Sequence, residues 1–357
     1  MEKKKDKAET KANDGVNEKL LVALAIVAVA LLIIGIFHYF SNRVSTAVDV
    51  RFGMLPGNIE KAVILTVNLV EVNASTLDAL DAFLSIAEKY DAPITIFLAV
   101  DPVVKEFRSY IDDSPQLKND ITGLIALQKK YNITLDIESL GYPIAYQGIP
   151  YEYQERLLFQ AKSAFRANNI SVVAYRPHGA IEYDTLLAAE NAQFDVVNTV
   201  MGIDDGPMHP KSPLNVDMRL LLVPIYAADS MMFNESRIYI IPLDLAGIKD
   251  NSDEVRGILK RARRDSALDM MTIASLNTHI RKTEKMQARI VTDPKRLITD
   301  ISIAGPVSGA KVEIRSQLLA KNISSQEEFK ESYPLPGGLY IILDEDDRNI
   351  RIEWKRP

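Results

Sequence analysis

Several carboxylate, imidazole and guanidinium side chains fall at or near the ends of predicted strands, where folding could bring them together. Asp136 and Glu138 lie at the end of the strand predicted at residues 133–137, and His279 follows the strand predicted at residues 270–276. Carboxylate and imidazole groups act as general acids and bases in the hydrolysis of amide, ester and glycosidic bonds. The candidate set for such a reaction is Arg176, Asp136, Glu138, Asp204, Asp205 and His279.

Other roles for these carboxylates stay open at this stage. We expect only one of Asp136 and Glu138 to face the interior of the sheet, and either could serve as a helix-capping or loop carboxylate. Asp204 and Asp205 form a compact cluster with His209 that could ligate a metal, although Asp-Gly-Pro sequences are more often turns. A pair such as Asp136 with Asp204 or Asp244 would suit glycoside hydrolysis, but the spacing singles out no pair.

The segments that must position these side chains alternate between short apolar runs and amphipathic stretches. Strand alternating with helix over about 220 residues predicts a parallel sheet. The number of strands favours a closed (β/α) barrel, and no Gly-x-Gly-x-x-Gly turn follows any of them, which argues against nucleotide binding. The predicted strands are 63–70, 94–100, 133–137, 172–175, 194–199, 220–224, 238–242 and 270–276, and the main predicted helices are 75–90, 151–168, 183–192 and 253–266.

The pattern changes near residue 289. Strand-like segments separated by turn signals, such as Gly305-Pro306 and Pro336-Gly337-Gly338, replace the alternation of strand and helix. This change predicts a small β-sandwich module at residues 289–357, after a barrel at residues 61–288. The fold class is therefore α/β, with a second, smaller all-β part.

The amino terminus predicts a membrane anchor. Residues 20–37 are 18 consecutive apolar or small residues, enough for a helix to span the hydrocarbon of a bilayer. Six lysines precede the run, at positions 3, 4, 5, 7, 11 and 19, and only Arg43 follows closely. The positive-inside rule then places residues 1–19 in the cytoplasm, the anchor at 20–40, and a stalk at 41–60 with the later domains outside the cell.

Composition excludes several classes of function. The chain has no cysteine, so disulfides, thiolate metal sites and a cysteine nucleophile are all absent. Its formal net charge is −6, and no run of Lys or Arg alternates with aromatic residues. A nucleic-acid partner is therefore not expected.

Three segments resemble motifs of the polysaccharide deacetylase (NodB homology) family. Residues 63–69, Val-Ile-Leu-Thr-Val-Asn-Leu, are similar to the motif L-T-F-D-D, and the run 90–97 that follows resembles K-Y-G-V-P-A-T-F-F. Residues 135–144 are similar to H-E-I-G-S-H-G-Y-N-H, and residues 175–180 resemble the motif R-x-P-x-G. The resemblance covers about residues 60 to 200 and implies a (β/α) barrel of the deacetylase type.

The same resemblance implies that the metal site is lost. In the family, one aspartate acts as catalytic base, while another aspartate and two histidines spaced i, i+4 hold a zinc-type ion that activates water. The matching positions here are Leu69 (or Asn68), Leu140 and Ile144, and no histidine lies between residues 38 and 178. We therefore expect no metal and no other cofactor.

Some polar residues of the family pattern remain. Arg176 matches the arginine that orients the catalytic base, His178 replaces a residue that lines the substrate groove, and His279 lies near the position of a catalytic acid histidine. Arg176 could instead cap a barrel strand. The catalytic candidates are thus Arg176, Asp136 and His279, and the substrate-groove candidates are Asn68, Glu138, His178, Asp204 and Asp205.

Three functions follow as hypotheses. The first is a membrane-anchored, externally exposed barrel that has lost deacetylase activity and binds glycan or another envelope component. The second is a carbohydrate-active hydrolase that cleaves an amide, ester or glycosidic bond with a non-standard site. The third is an envelope scaffold that works through its C-terminal β module.

Overall fold

The computed structural model of the chain describes residues 26–27, 29–33, 47–57, 59–70, 72–99, 115–131, 134–179, 181–199, 207–225, 238–243, 245, 252–266, 268–325, 331–335, 338–343 and 349–355. Within these ranges, no helix is long and apolar enough to cross a membrane. Most of the predicted anchor at 20–40, together with Asp204 and Asp205, lies outside them.

Strands and helices alternate through the first two thirds of the described chain. The strands are β1 Val48–Phe52, β2 Lys61–Leu69, β3 Ile94–Ala99, β4 Leu135–Ala145, β5 Ala174–His178, β6 Val196–Thr199, β7 Leu221–Pro224, β8 Ile238–Leu243 and β9 Leu268–Met270. The helices are α1 Ala74–Glu88, α2 Pro115–Lys130, α3 Tyr151–Ala167, α4 Tyr183–Asn191, α5 Ser252–Arg264 and α6 Ile273–Glu284.

Eight of these strands form one parallel sheet that curves into a nearly closed barrel, as the alternation predicted. The order is β7-β6-β5-β4-β3-β2-β8, and β9 pairs with the start of β2. Both faces of the sheet are buried, which explains why β2 and β3 read as almost continuous apolar runs.

Alternate residues of each strand serve two separate cores. Val63, Leu65, Val67 and Leu69 of β2 pack outward in the cluster that the surrounding helices share. Ala62 and Ile64 belong to an inner cluster with residues of the other strands, among them Phe97, Leu140, Ala174 and Val223. The period of two residues therefore decides which side chains face the barrel interior.

Helix α6 closes the amino-terminal end of the barrel. Leu276 and Ile280 of this helix join the inner cluster, and the backbone N–H of Ile273 donates to Thr95 Oγ1 at 3.1 Å, near the start of β3. The strand predicted at residues 270–276 is therefore wrong except at Met270, where β9 ends. Thr272 and Ser275 form a capping box, with reciprocal side-chain bonds of 3.0 and 3.1 Å, which starts the helix.

The C-terminal part consists of two four-stranded antiparallel sheets. Its strands are β10 Gln287–Asp293, β11 Ile298–Ala304, β12 Lys311–Ser316, β13 Leu319–Ser325, β14 Glu331–Leu335, β15 Gly338–Ile342 and β16 Asn349–Lys355. The sheet orders are β1-β12-β15-β14 and β10-β11-β16-β13. Residues of both sheets, such as Ile314 and Ile352, share one apolar cluster with the single tryptophan, Trp354.

The first described strand belongs to this C-terminal module. Strand β1, within the segment predicted as a stalk, pairs antiparallel with β12 from Val48↔Ser316 to Phe52↔Val312. The pairing continues in Gly57, whose N–H donates to the carbonyl of Gly309 at 3.0 Å. The chain therefore enters the β module first, then forms the barrel, and then returns to complete the module.

Candidate binding site at the carboxyl end of the barrel

The side chain of Arg176, on β5, crosses the barrel interior and contacts β2. Strands β4 and β3 lie between these two strands in the sheet. Its Nη1 donates to Asn68 Oδ1 at 2.6 Å, its Nη2 to Thr66 Oγ1 at 2.9 Å, and its Nε to Asn198 Oδ1 at 2.7 Å. The Phe97 ring lies beneath the guanidinium, 3.9 Å from the ring centroid to Cζ, which adds a cation–π contact. These five residues are called the Arg176 site below.

The position of the Arg176 site follows from strand register. Leu140 of β4 lies opposite Arg176, and Ala174 lies opposite Val196, so Arg176 and Asn198 are neighbours on adjacent strands. Asn68 is the last but one residue of β2 and is exposed, whereas Arg176 is only 4% exposed. The site is therefore a buried cation beneath an exposed amide at the carboxyl end of the strands, where barrel proteins place their ligands.

Every acceptor of Arg176 in the described structure is neutral. The acceptors are two side-chain amide oxygens and one hydroxyl, and Asn198 is itself held because its Nδ2 donates to the carbonyl of Val223 at 2.9 Å. Burial lowers the pKa of Arg176 to about 9, which leaves the guanidinium charged at neutral pH. The site thus carries a positive charge that these contacts solvate but do not neutralise.

The residues at the family's metal positions do not fit a metal ion. Leu69 is 2% exposed and packs in the outer cluster, on the helix side of the sheet. Leu140 is 6% exposed and packs in the inner cluster beside Phe97. Neither side chain has a lone pair, and the described residues contain no group of three or more His, Cys, Asp or Glu that could hold a metal. No step through a metal can be built on these side chains.

Asp136 and Glu138 lie in the first half of β4 and both face inward, opposite Thr95 and Phe97 of β3. The expectation that only one of them faces the interior is wrong, because residues two apart on a strand share a face. Asp136 Oδ2 accepts from the N–H of Ala274 at 3.1 Å, in the first turn of α6. Asp136 thus occupies the helix-capping role that was its alternative, away from the strand end where it was predicted.

Glu138 is fully buried. Its Oε2 accepts from the backbone N–H groups of Val173 at 2.8 Å and Ala174 at 2.7 Å, at the start of β5, while its Oε1 has no partner in the described structure. Burial, and then the charge of Asp136, raise the pKa of Glu138 well above its usual range. Burial also raises the pKa of Asp136. A side chain without exposure cannot line a groove, so Glu138 serves the barrel wall.

The histidine candidates separate in the structure. His178 ends β5, is exposed, and lies two residues beyond Arg176 on the same face, at the edge of the Arg176 site. His279 lies in the middle of α6, where it interacts with the backbone of Gly53 and Leu55, and burial lowers its pKa. His209 contacts the Leu220 carbonyl through Nδ1 at 2.9 Å and Glu284 Oε1 through Nε2 at 2.5 Å.

The structure therefore joins two of the described candidates by a hydrogen bond, Arg176 and Asn68. Asp136 and His279 bond to other elements and share no partner with Arg176. Sequence reasoning missed Thr66, Phe97 and Asn198. Thr66 and Asn198 are polar residues within buried apolar strands, and each lies two residues after an inward-facing residue of its own strand. This alternation was the signal that the sequence offered.

Comparisons with known proteins concern the fold. No protein-family model matches the chain, and no curated protein matches it. Among solved structures, a Mycobacterium smegmatis protein assigned as a polysaccharide deacetylase is 14% identical, with 71% of this chain and 99% of that chain covered, at a TM-score of 0.48. Puue allantoinase is 13% identical, with 64% and 93% covered, at 0.47. A wild-type CE4 family pseudoenzyme from Bacillus anthracis is 13% identical, with 60% and 65% covered, at 0.36.

Polysaccharide deacetylases are thus among the structures that this chain resembles, as its motifs predicted. At these identities and TM-scores, the likeness is to the outline of the fold.

Proposed function

We propose that this protein is a polysaccharide-deacetylase-like barrel that binds glycan at the carboxyl end of its strands and does not deacetylate it by a metal-dependent mechanism. The observation that carries the proposal is the contact between Arg176 Nη1 and Asn68 Oδ1 at 2.6 Å. The resemblance places a catalytic carboxylate at that point, and an amide stands there. An amide oxygen accepts a hydrogen bond but is not basic near neutral pH, so it cannot activate water.

The groups that remain suit binding. The exposed amide of Asn68 offers hydrogen-bond donors, while Arg176, itself held by Asn198, fixes the position of the amide from below. Sugar hydroxyls both donate and accept hydrogen bonds, and amide and guanidinium groups are complementary to them. Loss of the base and of the metal ligands, with the strand ends retained, favours recognition of a glycan over its hydrolysis.

The membrane anchor belongs to the same proposal. Its support is the apolar run at residues 20–37 and the six lysines that precede it. Seven residues, 41–47, separate the predicted anchor from β1, and they reach at most about 25 Å when extended. With the anchor in a bilayer, the β module would lie next to the membrane surface and the barrel would face the cell envelope.

Metal analysis and acetate release test this function together. We expect the full-length protein, purified in detergent, to contain no stoichiometric zinc and to release no acetate from acetylated chito-oligosaccharides. Titration calorimetry should show saturable binding of peptidoglycan fragments or chito-oligosaccharides that EDTA does not change. Stoichiometric zinc together with acetate release would refute the proposal, and so would the absence of any glycan binding.

A further inference from the structure

Arg176 differs from the other arginines of the described chain. It is the only arginine among the buried residues, and no carboxylate of the described structure lies within ion-pair distance of it. Arginines with far more exposure do have such partners: Arg281 contacts Glu284 at 3.0 Å and Arg351 contacts Asp300 at 2.7 Å. The guanidinium most shielded from water therefore has no counter-ion in the described structure.

Nη1 of the guanidinium has a single hydrogen-bond partner in the described structure, and that partner is exposed. Nε and Nη2 are directed to Asn198 and Thr66 inside the barrel, while Nη1 makes one bond, to the exposed Asn68. Nη1 carries two N–H groups. A rotation of the Asn68 side chain would therefore present both of them, with the Asn68 amide and His178 at the rim.

We propose that the Arg176 site binds the carboxylate of an acidic glycan, with Arg176 as the charged donor. The carboxylate would displace the side chain of Asn68 from the guanidinium. This inference rests on the proposed function and names the class of glycan. A guanidinium and a carboxylate form charge-assisted hydrogen bonds that are shorter and stronger than those between neutral groups. An incoming carboxylate would supply the counter-charge that the described chain does not.

The first experiment compares glycans on the full-length protein by titration calorimetry. An acidic trisaccharide, tri-galacturonate, should bind at least about tenfold more tightly than neutral chitotriose, a preference of about 1.4 kcal/mol. Equal affinity for the two would overturn the inference and leave the proposed function standing, whereas no binding of either would refute both. Inorganic phosphate and sulfate are the further arms, and binding of these ions without a preference for the acidic trisaccharide would also overturn it.

The second experiment uses Asn68→Asp, which places a carboxylate of the protein against Arg176. We expect the acidic trisaccharide to lose its tenfold preference while the melting temperature rises. Asn322→Asp makes the same change of charge at an exposed position of β13 and should alter neither result. An unchanged preference in Asn68→Asp would contradict the proposal.

Three more variants test whether binding requires the charge of Arg176 and whether the chain itself supplies a counter-ion to it. Arg176→Gln should lose the acidic preference, and circular dichroism checks that the variant is folded. Asp204→Asn and Asp244→Asn, at positions outside the described residues, test for a counter-ion from the chain itself. A tenfold gain in acidic-glycan affinity in either of these two would show such a counter-ion and would overturn the proposal, and unchanged affinity supports it.

Discussion

The two ends of the barrel differ in the groups that form hydrogen bonds with their buried ionisable side chains. At the amino-terminal end, the carboxylates of Asp136 and Glu138 accept hydrogen bonds from backbone N–H groups of α6 and of the chain around the start of β5. At the carboxyl end, the guanidinium of Arg176 donates to side chains that are neutral and, at Asn68, exposed. The carboxylates lie under a helix and are held by backbone groups, whereas the guanidinium is held by neutral side chains, one of which is exposed. This is the arrangement of a support at one end and a site at the other.

The contrast predicts first a strong dependence of stability on pH from Glu138. An unfolded glutamate releases its proton near pH 4.3, whereas burial raises the pKa of folded Glu138 well above that. Between these two pKa values the folded chain binds more protons than the unfolded chain, so the free energy of unfolding falls as the pH rises. The full loss of stability is reached above the pKa of folded Glu138. Urea unfolding across this range should show a clearly smaller decline in Glu138→Gln. Equal declines in both proteins would contradict the burial argument.

Removal of the acceptor should be the next largest effect. Glu138→Leu leaves the N–H groups of Val173 and Ala174 buried without a partner, at a cost of about 2–4 kcal/mol in unfolding free energy. Glu138→Gln retains an acceptor oxygen and is the matched control. Chemical denaturation at pH 6 measures both, and a leucine variant as stable as the glutamine variant would show that these bonds do not support the wall.

At the opposite end, an added carboxylate should stabilise. Asn68→Asp would turn the 2.6 Å bond to Arg176 into a charge-assisted one and raise the unfolding free energy by about 1–2 kcal/mol. Asn322→Asp, on the surface of the β module, should stay within about 0.5 kcal/mol of wild type. A gain of the same size in both variants would mean that net charge, and not the Arg176 site, is responsible.

The smallest effect is expected at the α6 cap. Asp136→Ala removes the acceptor of the Ala274 N–H and a negative charge at a helix N-terminus, at a cost of about 0.5–1 kcal/mol. Asp136→Asn keeps the acceptor and separates the hydrogen bond from the charge. Thermal melts of both distinguish the two contributions, and glycan binding should not change in either. A loss of binding would give Asp136 a functional role again.

Much of the barrel could be predicted from sequence, because parallel strands buried on both faces leave continuous apolar runs. Strands 94–100 and 238–242 and helix 151–168 match β3, β8 and α3 to within one residue at each end. The β module could be predicted only in part. Strand β1 is five residues long and pairs with β12, which lies more than 250 residues later in the chain. No local sequence pattern indicates this pairing.

The errors at the site have particular causes. The run 270–276 is apolar enough to suit a strand, but the capping box of Thr272 and Ser275 starts α6 there and carries His279 away from any strand end. Strand β4 continues to Ala145, so Asp136 and Glu138 lie near its start. The resemblance matched Arg176 to an arginine that orients the catalytic base, whereas its contacts with Asn68, Thr66 and Asn198 required the register of the strands from β2 to β6.

The entry of the chain through β1 also changes how the β module can be tested. Deletion of residues 289–357 would remove β12, the partner of β1, and would leave β1 unpaired. Such a truncation would disturb the segment that leads into the barrel. Substitutions on the surface of the module, with the chain intact, are the better test of a scaffold role.

The most direct measurement is a calorimetric titration of tri-galacturonate into full-length wild type and Asn68→Asp in the presence of EDTA. We predict saturable binding to wild type without metal, and a loss of at least about tenfold in affinity in the variant, equal to about 1.4 kcal/mol. Binding that appears only when zinc is added, or that Asn68→Asp leaves unchanged, would contradict a metal-free glycan site built on Arg176.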